Sequence, residues 1–322
     1  MHAIQVRRTG GPEVLEPVDL PDPVPAEGEL LVAVEATGVN FIDVYRRTGL
    51  YPVALPSVPG SELAGQVVAV GAGVTGFAPG DLVATSEASG AYADLAVVPA
   101  ARAVAVPAGV TPEQAAAVML QGMTAHYLVT DTFPLRPGHR CLVHAAAGGV
   151  GQLLVRLARE AGAEVFATVG SPAKAGIARE AGAHHVIVTS QEGFRAAVES
   201  LAGPHPLDVV YDGVGRDTFT DGLALLRPRG MMVTFGNASG PVDPVSPLDL
   251  MVGGSLFLTR PTLAHYVATT QELRTRAGDL LDRIAGGRLT VHVGGRFPLD
   301  RSDDAHRLLE SRQSTGKIVL TP

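Results

Sequence analysis

Cysteine is almost absent from this chain: 322 residues include only one, Cys141. A single thiol excludes an internal disulfide and any tetrahedral metal site that needs two thiolates. Cys141 lies in the apolar run Cys141–Val143, which is typical of a buried core residue. The sequence therefore predicts an inert, buried cysteine.

Long apolar runs are also missing, since no stretch reaches the roughly 18 uninterrupted residues of a membrane span. The opening residues, 1–8, contain no apolar signal core. The formal net charge is −7 and no dense run of Lys and Arg occurs, which argues against a broad surface for nucleic acid. We expect a soluble, cytoplasmic protein that binds neither nucleic acids nor membranes.

The length favours two domains, because 322 residues are many for one hydrophobic core. The first ~110 residues are rich in short strands, and glycine turns separate them. They are the alternating run Leu30–Ala36 and the segments Leu63–Val70 and Leu82–Thr85. This pattern predicts an antiparallel, barrel-like domain. A helix is predicted to follow, with Thr111 as its N-cap, Pro112 at its first position and Gln114 completing a capping box.

From Arg140 onwards strands and helices alternate, which predicts right-handed crossovers and a doubly wound parallel sheet. The predicted strands are Cys141–Ala145, Glu164–Val169, His185–Val188, Asp208–Tyr211 and Met231–Phe235. The predicted helices are Gln152–Ala161, Ala173–Ala181, Phe194–Leu201 and Asp217–Leu226. Beyond Arg260 we expect a helix over Leu273–Ala285, a strand pair, a helix over Ala305–Ser311 and a strand over Lys317–Leu320. These mixed elements suggest that the chain returns to complete the first domain.

A glycine-rich turn, Ala145–Gly151, joins the first of these strands to the first helix. It matches the dinucleotide fingerprint G-x-G-x-x-G, with Ala146 in the first glycine position and Gly148 and Gly151 in the others. Gly148 would let the backbone approach a pyrophosphate, and Gly151 would let helix and strand pack closely. The helix N-terminus offers free N–H groups and partial positive charge. A dinucleotide cofactor is therefore predicted.

The end of the next strand predicts which dinucleotide binds. NAD enzymes place an Asp or Glu there against the ribose 2′-hydroxyl, whereas this chain has Gly170, Ser171 and Lys174. Ser171 can donate a hydrogen bond to a 2′-phosphate and Lys174 supplies positive charge. Ser171 can also serve as a plain helix N-cap, and Lys174 could be a solvated surface lysine. We expect NADPH rather than NADH.

Taken together, these residues resemble the medium-chain dehydrogenase/reductase superfamily, and within it the zinc-independent NADPH:quinone oxidoreductases (zeta-crystallin-like). The resemblance covers essentially the whole chain. Its motifs are Gly10–Leu15, Asn40–Tyr45, Gly49–Pro52, His144–Gly151, Tyr211–Gly215, Phe235–Asn237 and Thr259–Pro261. It implies a GroES-like catalytic domain formed by residues 1–122 and 263–322, with a Rossmann NADPH-binding domain at 123–262. It also implies a quinone as substrate and a homodimer.

The zinc ligands of the alcohol dehydrogenase branch are replaced here. Asn40 stands at the first Cys position, Ser61 stands at the His position before Glu62, and no second Cys lies near Gln121. Catalytic zinc is therefore not expected. Without a Lewis acid to stabilise a developing alkoxide, alcohol oxidation is disfavoured. A quinone needs less help, because its own π-system delocalises the incoming electrons.

The resemblance also implies roles for individual residues. Asn40 would contact the nicotinamide ribose with Asp43 close by, and Tyr45 and Tyr51 would line the quinone pocket. The other implied cofactor-binding residues are Thr124, Gly148, Gly149, Val150, Gly151, Gly170, Ser171, Lys174, Val214, Phe235, Gly236, Asn237, Phe257, Leu258 and Lys317. Structural alternatives stay open: Asn40 could be a turn residue, both tyrosines could be core aromatics, and Lys317 could be a solvated strand end.

The resemblance departs at Thr189, where related proteins place a tyrosine near the adenosine phosphate. Because threonine can neither stack nor reach as far, we expect looser selectivity for NADPH. The run Ser255–Leu258 is predicted as an edge strand that pairs across the two-fold axis of the dimer. Two other functions remain open: NADPH-dependent reduction of a 2-alkenal or enone, and a cofactor-binding protein of the crystallin-like or RNA-binding kind.

Overall fold

The computed structural model describes all 322 residues. The chain divides into two compact units, one formed by residues 1–123 and 267–322 and the other by residues 124–266. None of the helices is both long and apolar enough to cross a membrane.

The N-terminal part of the first unit is rich in strands. Its strands are β1 (His2–Gln5), β2 (Glu16–Asp19), β3 (Glu29–Val39), β4 (Leu63–Val70), β5 (Leu82–Thr85), β6 (Leu95–Pro99) and β7 (Val104–Ala105). Helix α1 (Phe41–Arg47) follows β3, and helix α2 (Pro112–Tyr127) follows β7. The predicted capping box of α2 is confirmed, since Thr111 Oγ1 accepts the Gln114 N–H at 3.2 Å and the Gln114 side chain accepts the Thr111 N–H at 3.0 Å.

The second unit alternates strand and helix as predicted. Its elements are β8 (Arg140–Val143), α3 (Gly149–Glu160), β9 (Glu164–Val169), α4 (Ala175–Glu180), β10 (His185–Val188), α5 (Phe194–Ala202), β11 (Leu207–Asp212), α6 (Phe219–Ala224), β12 (Leu226–Thr234), α7 (Pro247–Val252), β13 (Phe257–Thr259) and α8 (Leu263–Tyr266). The chain then returns to the first unit with α9 (Thr270–Ala285), β14 (Val293–Pro298), α10 (Ser302–Glu310) and β15 (Lys317–Thr321).

The six strands of the second unit form one parallel sheet in the order β10-β9-β8-β11-β12-β13. Counted from β8, this is the order 3-2-1-4-5-6 of the doubly wound dinucleotide fold. Its core includes the fully buried Leu142, Phe166, Val210 and Met232. In such sheets ligands bind at the carboxyl ends of the strands, where the strand order reverses.

The seven-stranded sheet of the first unit has the order β14-β15-β3-β4-β5-β7, and β6 also pairs with β3. All of its pairings are antiparallel except the β14–β15 pair. The register places Ile318 opposite Val39 and Leu63 opposite Thr37. Lys317 at the start of β15 and Glu62 directly before β4 therefore lie on either side of the end of β3, where Asn40 follows.

Several details of the predicted elements are wrong, including the start of β12, which lies at Leu226 rather than Met231. Residues 285–302 contain one strand, β14, rather than a strand pair, and its partner is β15. Helix α6 ends at Ala224 and β12 already begins at Leu226, whereas the predicted helix continued through Leu226. Leu225 and Leu226 are both fully buried, and a short apolar run does not distinguish a buried helix end from a buried strand start. Cys141 is buried, as predicted.

Candidate functional site

The glycine-rich turn leaves the carboxyl end of β8 and opens helix α3, with Gly148 as its N-cap. A Cβ on Gly151 would overlap the Ala145 carbonyl oxygen and lie 2.7 Å from Ala146 Cα. Only glycine fits there, because the contacts are with backbone that cannot move aside. A Cβ on Gly148 would meet only the Ala145 oxygen, at 3.2 Å. The turn is thus closely packed on its inner side and open at the helix N-terminus, which suits a pyrophosphate.

The neighbouring strand β9 ends in an open segment that contains the predicted 2′-phosphate residues. Gly170 is exposed, and a Cβ there would meet nothing within 4 Å. Ser171 takes the N-cap position of a short 3₁₀-helix, yet its hydroxyl makes no cap hydrogen bond. Partial burial lowers the pKa of Lys174. Thr189 lies beside them, where its N–H and hydroxyl both donate to the Val169 carbonyl at 2.9 and 3.3 Å.

The carboxyl ends of β11 and β12 form the other side of this edge. The fully buried Asp212 carboxylate accepts hydrogen bonds from the N–H of Val214 at 2.7 Å and of Gly215 at 3.1 Å. Ser239 N–H then donates to the Val214 carbonyl at 2.8 Å. The turn after β11 is therefore fixed against the loop that carries Phe235, Gly236 and Asn237.

Phe257 and Leu258 lie within the sheet rather than at this carboxyl edge. They pair with Met231 and Met232 in the body of β12, and Leu258 packs against the core. Arg260, just beyond β13, reaches the edge instead.

The Arg260 guanidinium donates to the Gly236 carbonyl at 2.9 Å and to Thr234 Oγ1 at 3.3 Å. When the Asn237 amide is oriented to suit its neighbours, its oxygen accepts from Arg260 at 3.1 Å. Arg260 thus contacts the predicted site residues Gly236 and Asn237; the sequence predicted no role for it, although it lies in the motif Thr259–Pro261.

In the first unit, three residues form a buried polar cluster: Asn40 and Lys317, which were predicted as site residues, and Glu62, which was not. Lys317 Nζ donates to Asn40 Oδ1 at 2.8 Å and forms an ion pair with Glu62. Asn40 Nδ2 donates to Glu62 Oε2 at 2.8 Å, and Leu120 N–H donates to the other carboxylate oxygen at 2.5 Å. Gly38 is required beside the cluster, since a Cβ there would overlap the Glu62 carboxylate and lie 2.6 Å from Lys317 Cε.

The cluster uses both polar atoms of the Asn40 side chain. Asn40 Oδ1 also accepts from Gln121 at 3.3 Å, and Nδ2 also donates to the Gly38 carbonyl at 3.3 Å. The amide is therefore held in one orientation beside the start of helix α1, whose N-cap residue is Asn40. The sequence did not predict a role for Glu62. Its only local signal is its position directly before the apolar start of β4.

The remaining predicted residues occupy three environments. Asp43 is buried on α1 and accepts the Asn40 N–H at 2.9 Å, so the two are neighbours as expected. The rings of Tyr45 and Tyr51 meet edge to face with centroids 5.2 Å apart; Tyr45 is buried and Tyr51 is more than one-third exposed. Thr124 is buried on α2.

His144, beside the fingerprint, is a packed core histidine. Its Nδ1 pairs with Thr168 Oγ1 at 2.9 Å, while its Nε2 has no hydrogen-bond partner. Burial lowers the pKa of His144, so the ring is neutral at physiological pH.

Comparison with known proteins agrees with this architecture. Residues 26–108 match the alcohol dehydrogenase GroES-like domain family, and residues 149–283 match the zinc-binding dehydrogenase family. The chain is 45% identical over 321 residues to a quinone oxidoreductase of Pseudomonas aeruginosa, covering 99% of both proteins. The crystal structure of Escherichia coli quinone oxidoreductase complexed with NADPH superimposes with a TM-score of 0.98, 42% identity and full coverage of both chains.

The chain belongs to the quinone oxidoreductase family. This family lies within the medium-chain dehydrogenase/reductase superfamily, so the predicted combination of a Rossmann-like sheet and a GroES-like domain is confirmed. A 2-haloacrylate reductase of Burkholderia is also similar, with 41% identity over 330 residues and 99% of this chain covered. No group of three or more His, Cys, Asp and Glu side chains in the chain is arranged to hold a metal ion.

Proposed function

We propose that this protein reduces quinones with NADPH. The observation that carries the proposal is the carboxyl edge of the parallel sheet, where the Gly148–Gly151 turn and the Ser171–Lys174 segment lie at adjacent strand ends. The tight packing of Gly151 and the open backbone at Gly148 fit a pyrophosphate, and the cation at Lys174 fits a 2′-phosphate. NADPH supplies the hydride when it is bound.

The residues of this chain would bind and orient the cofactor and shield it from water. Gly148, Gly149, Val150 and Gly151 would hold the pyrophosphate through backbone N–H groups and the dipole of α3. Ser171 and Lys174 would select the 2′-phosphate. Further cofactor-binding roles are proposed for Thr124, Gly170, Val214, Phe235, Gly236, Asn237, Phe257 and Leu258.

For the first unit we propose a rigid catalytic surface. The Asn40 amide is fixed by Lys317, Glu62 and Gln121, so it would present one face to the nicotinamide ribose without reorganisation. Tyr45 and Tyr51, with Asp43 on the same helix as Tyr45, would line the quinone pocket. Preorganised groups of this kind accelerate a reaction by positioning the reactants.

The chemistry balances with one proton from solvent. Addition of one hydride, which NADPH would supply, and one proton would convert the quinone to the hydroquinone. No dedicated acid or base is needed, because hydroquinone anions are weak bases compared with alkoxides. The residues at the zinc-ligand positions of alcohol dehydrogenases, Asn40 and Ser61, fit a reaction in which the acceptor delocalises its own charge.

The similarity to a 2-haloacrylate reductase favours a second candidate, reduction of an activated carbon–carbon double bond by the same hydride. An α,β-unsaturated carbonyl resembles a quinone because it also delocalises the added electrons into an oxygen. The residues described here fit both acceptors.

NADPH oxidation at 340 nm tests the proposal against 1,4-benzoquinone, 9,10-phenanthrenequinone, a simple enal and 2-chloroacrylate, with NADH in parallel. We expect the quinones to be turned over fastest with NADPH. Faster turnover of the enal or 2-chloroacrylate would move the function to alkene reduction. Tight NADPH binding without turnover of any acceptor would favour a cofactor-binding protein of the crystallin-like or RNA-binding kind.

A homodimer through β13 is part of the proposal. β13 is the last strand of its sheet and pairs only with β12. Large apolar side chains are exposed on β13 and the nearby α7, and they are Leu248, Met251, Val252 and Phe257. An open edge strand with an apolar flank is suited to pairing with a second copy across a two-fold axis. Light scattering of the parent and of Phe257→Arg tests the proposed dimer. We expect the parent to be a dimer and Phe257→Arg to be a monomer. A monomeric parent would contradict the proposal.

A further inference from the structure

Four buried side chains of the first unit form a ring of hydrogen bonds that starts and ends on helix α1. The Arg47 guanidinium meets His306 Nδ1 at 3.0 Å, and His306 Nε2 meets the Tyr92 hydroxyl at 3.0 Å. The Tyr92 hydroxyl meets Asp43 Oδ2 at 3.3 Å. Asp43 and Arg47 are one turn apart on α1, while His306 lies on α10. All four are at most 2% exposed.

The direction of every hydrogen bond in the ring is fixed by Arg47, because a guanidinium can only donate. His306 Nδ1 must therefore accept, so its proton is on Nε2 and is donated to the Tyr92 oxygen. Tyr92 in turn donates its hydroxyl proton to the Asp43 carboxylate. Burial and the Arg47 charge lower the pKa of His306 to about 3. The His306 imidazole is therefore neutral at physiological pH, and this tautomer persists.

The ring ends on the atom that holds the start of α1. Asp43 Oδ2 accepts both the Tyr92 O–H and the backbone N–H of Asn40. Helix α1 has only seven residues, too few to be stable alone. Arg47 is itself anchored by Glu310, whose two carboxylate oxygens accept from Arg47 Nη2 at 2.9 and 3.0 Å. The ring thus holds the short helix that carries Tyr45 and directly follows Asn40.

We propose that His306 and Tyr92 are positioning residues for hydride transfer: they orient the Asp43 carboxylate, which in turn fixes the backbone of Asn40 and the placement of Tyr45. This inference rests on the proposed function, because Asn40 and Tyr45 belong to its catalytic surface. Neither His306 nor Tyr92 was among the residues that the sequence motifs pointed to.

The charge state of Asp43 provides a readout of the ring. Burial raises the pKa of Asp43 to about 6, while the Asn40 N–H and the positive charges of Lys317 and Arg46 oppose the rise and Glu62 adds to it. Tyr92 contacts the Asp43 carboxylate directly, and His306 and Arg47 follow it along the ring. Since Tyr92 donates to the charged carboxylate, loss of its hydroxyl is expected to raise the pKa of Asp43 further.

The experiment compares the pH dependence of kcat in the parent, Tyr92→Phe, Asp43→Asn and the double variant, with whichever acceptor is turned over. In the parent we expect kcat to fall as the pH drops through about 6. Tyr92→Phe is expected to move that fall upward by about one pH unit and to lower kcat at pH 7 by about tenfold. Asp43→Asn should abolish the fall, and adding Tyr92→Phe should then change kcat little further.

Two further variants separate positioning from stability. Tyr211→Phe removes another buried hydroxyl, which donates to the carbonyls of Leu128 and Phe133, and is expected to leave the pH profile unchanged. His306→Gln can accept from Arg47 and donate to Tyr92, so it should retain most of kcat, whereas His306→Leu should not. An unchanged pH profile in Tyr92→Phe, or equal kcat in His306→Gln and His306→Leu, would overturn the proposal.

The ¹³C resonance of the Asp43 carboxyl, assigned with Asp43→Asn, follows the same titration without turnover. If no acceptor is reduced, the proposed function fails while the resonance still reports on the ring. A resonance whose midpoint is the same in the parent and in Tyr92→Phe would overturn the role of Tyr92 by itself.

Discussion

Glu62 and Lys317 form an ion pair that solvent does not reach: their side chains are 0% and 1% exposed. The two residues are 255 positions apart, and the register of β15 and β4 on β3 brings them together beside Asn40. The pair fixes the Asn40 amide, so the orientation of a proposed catalytic side chain depends on a buried charge pair.

Breaking this pair on one side is expected to destabilise the protein strongly. Lys317→Met leaves the Glu62 carboxylate buried without its cation, a change that typically costs about 3–5 kcal/mol. The double variant Glu62→Gln/Lys317→Met removes both charges and is expected to recover most of that loss. Denaturant unfolding of the single and double variants measures the coupling; purely additive losses would contradict it.

Lys174→Ala tests the proposed 2′-phosphate site. Loss of a charged hydrogen bond of about 1.5–3 kcal/mol corresponds to roughly 10- to 100-fold weaker NADPH binding, while NADH binding should hardly change. Arg179→Ala, an exposed cation on the following helix α4, is the matched control and should affect neither cofactor. Equal losses for NADPH and NADH in Lys174→Ala would rule out the 2′-phosphate role.

Gly151→Ala tests the close packing of the fingerprint. The added methyl group would overlap backbone atoms of Ala145 and Ala146, so α3 must shift and both thermal stability and NADPH affinity should fall. Gly176→Ala is the control, since a Cβ there meets nothing within 4 Å and alanine favours the helix by about 0.5–1 kcal/mol. A Gly151→Ala variant with parental stability and NADPH affinity would show that the turn tolerates a side chain.

Acid stability tests the buried neutral state of His306. Its pKa is about 3 in the folded protein and 6.5 in the unfolded chain, so its contribution to stability is complete above pH 6.5 and is lost as the pH falls towards 3. Between pH 7 and pH 5 this loss is about 2 kcal/mol. His306→Gln has no such group, so its stability relative to the parent should rise on acidification. Melting curves at pH 7 and pH 5 measure this; a relative stability that falls or stays constant would contradict it.

Local patterns predicted much of the fold. The strands Glu164–Val169 and His185–Val188 agree with β9 and β10 to the residue, because their apolar runs are bounded by glycine turns or polar residues. The Ala145–Gly151 turn was recognisable for the same reason: its glycine spacing and its strand–turn–helix setting are both local. The start of α2 was predicted from a capping box within four residues.

Contacts between distant residues could not be predicted in this way. Arg47 and His306 are 259 positions apart, and neither has a local signal that relates it to the other. The continuation of β12 through Pro228 and Gly230 was missed because these residues usually end strands; Arg229 between them adopts a left-handed backbone, with φ of +63°. Tertiary pairing, rather than local preference, decides such positions.

The most direct test of quinone reduction by NADPH is an anaerobic single-turnover experiment. The protein with one equivalent of NADPH is mixed with excess 9,10-phenanthrenequinone, and the absorbance at 340 nm is followed with protio and C4-deuterated NADPH. We predict a single rapid loss of absorbance that the transferred deuterium slows, as direct hydride transfer requires. No faster loss with quinone than without it, while an enal consumes the bound NADPH, would contradict quinone reduction.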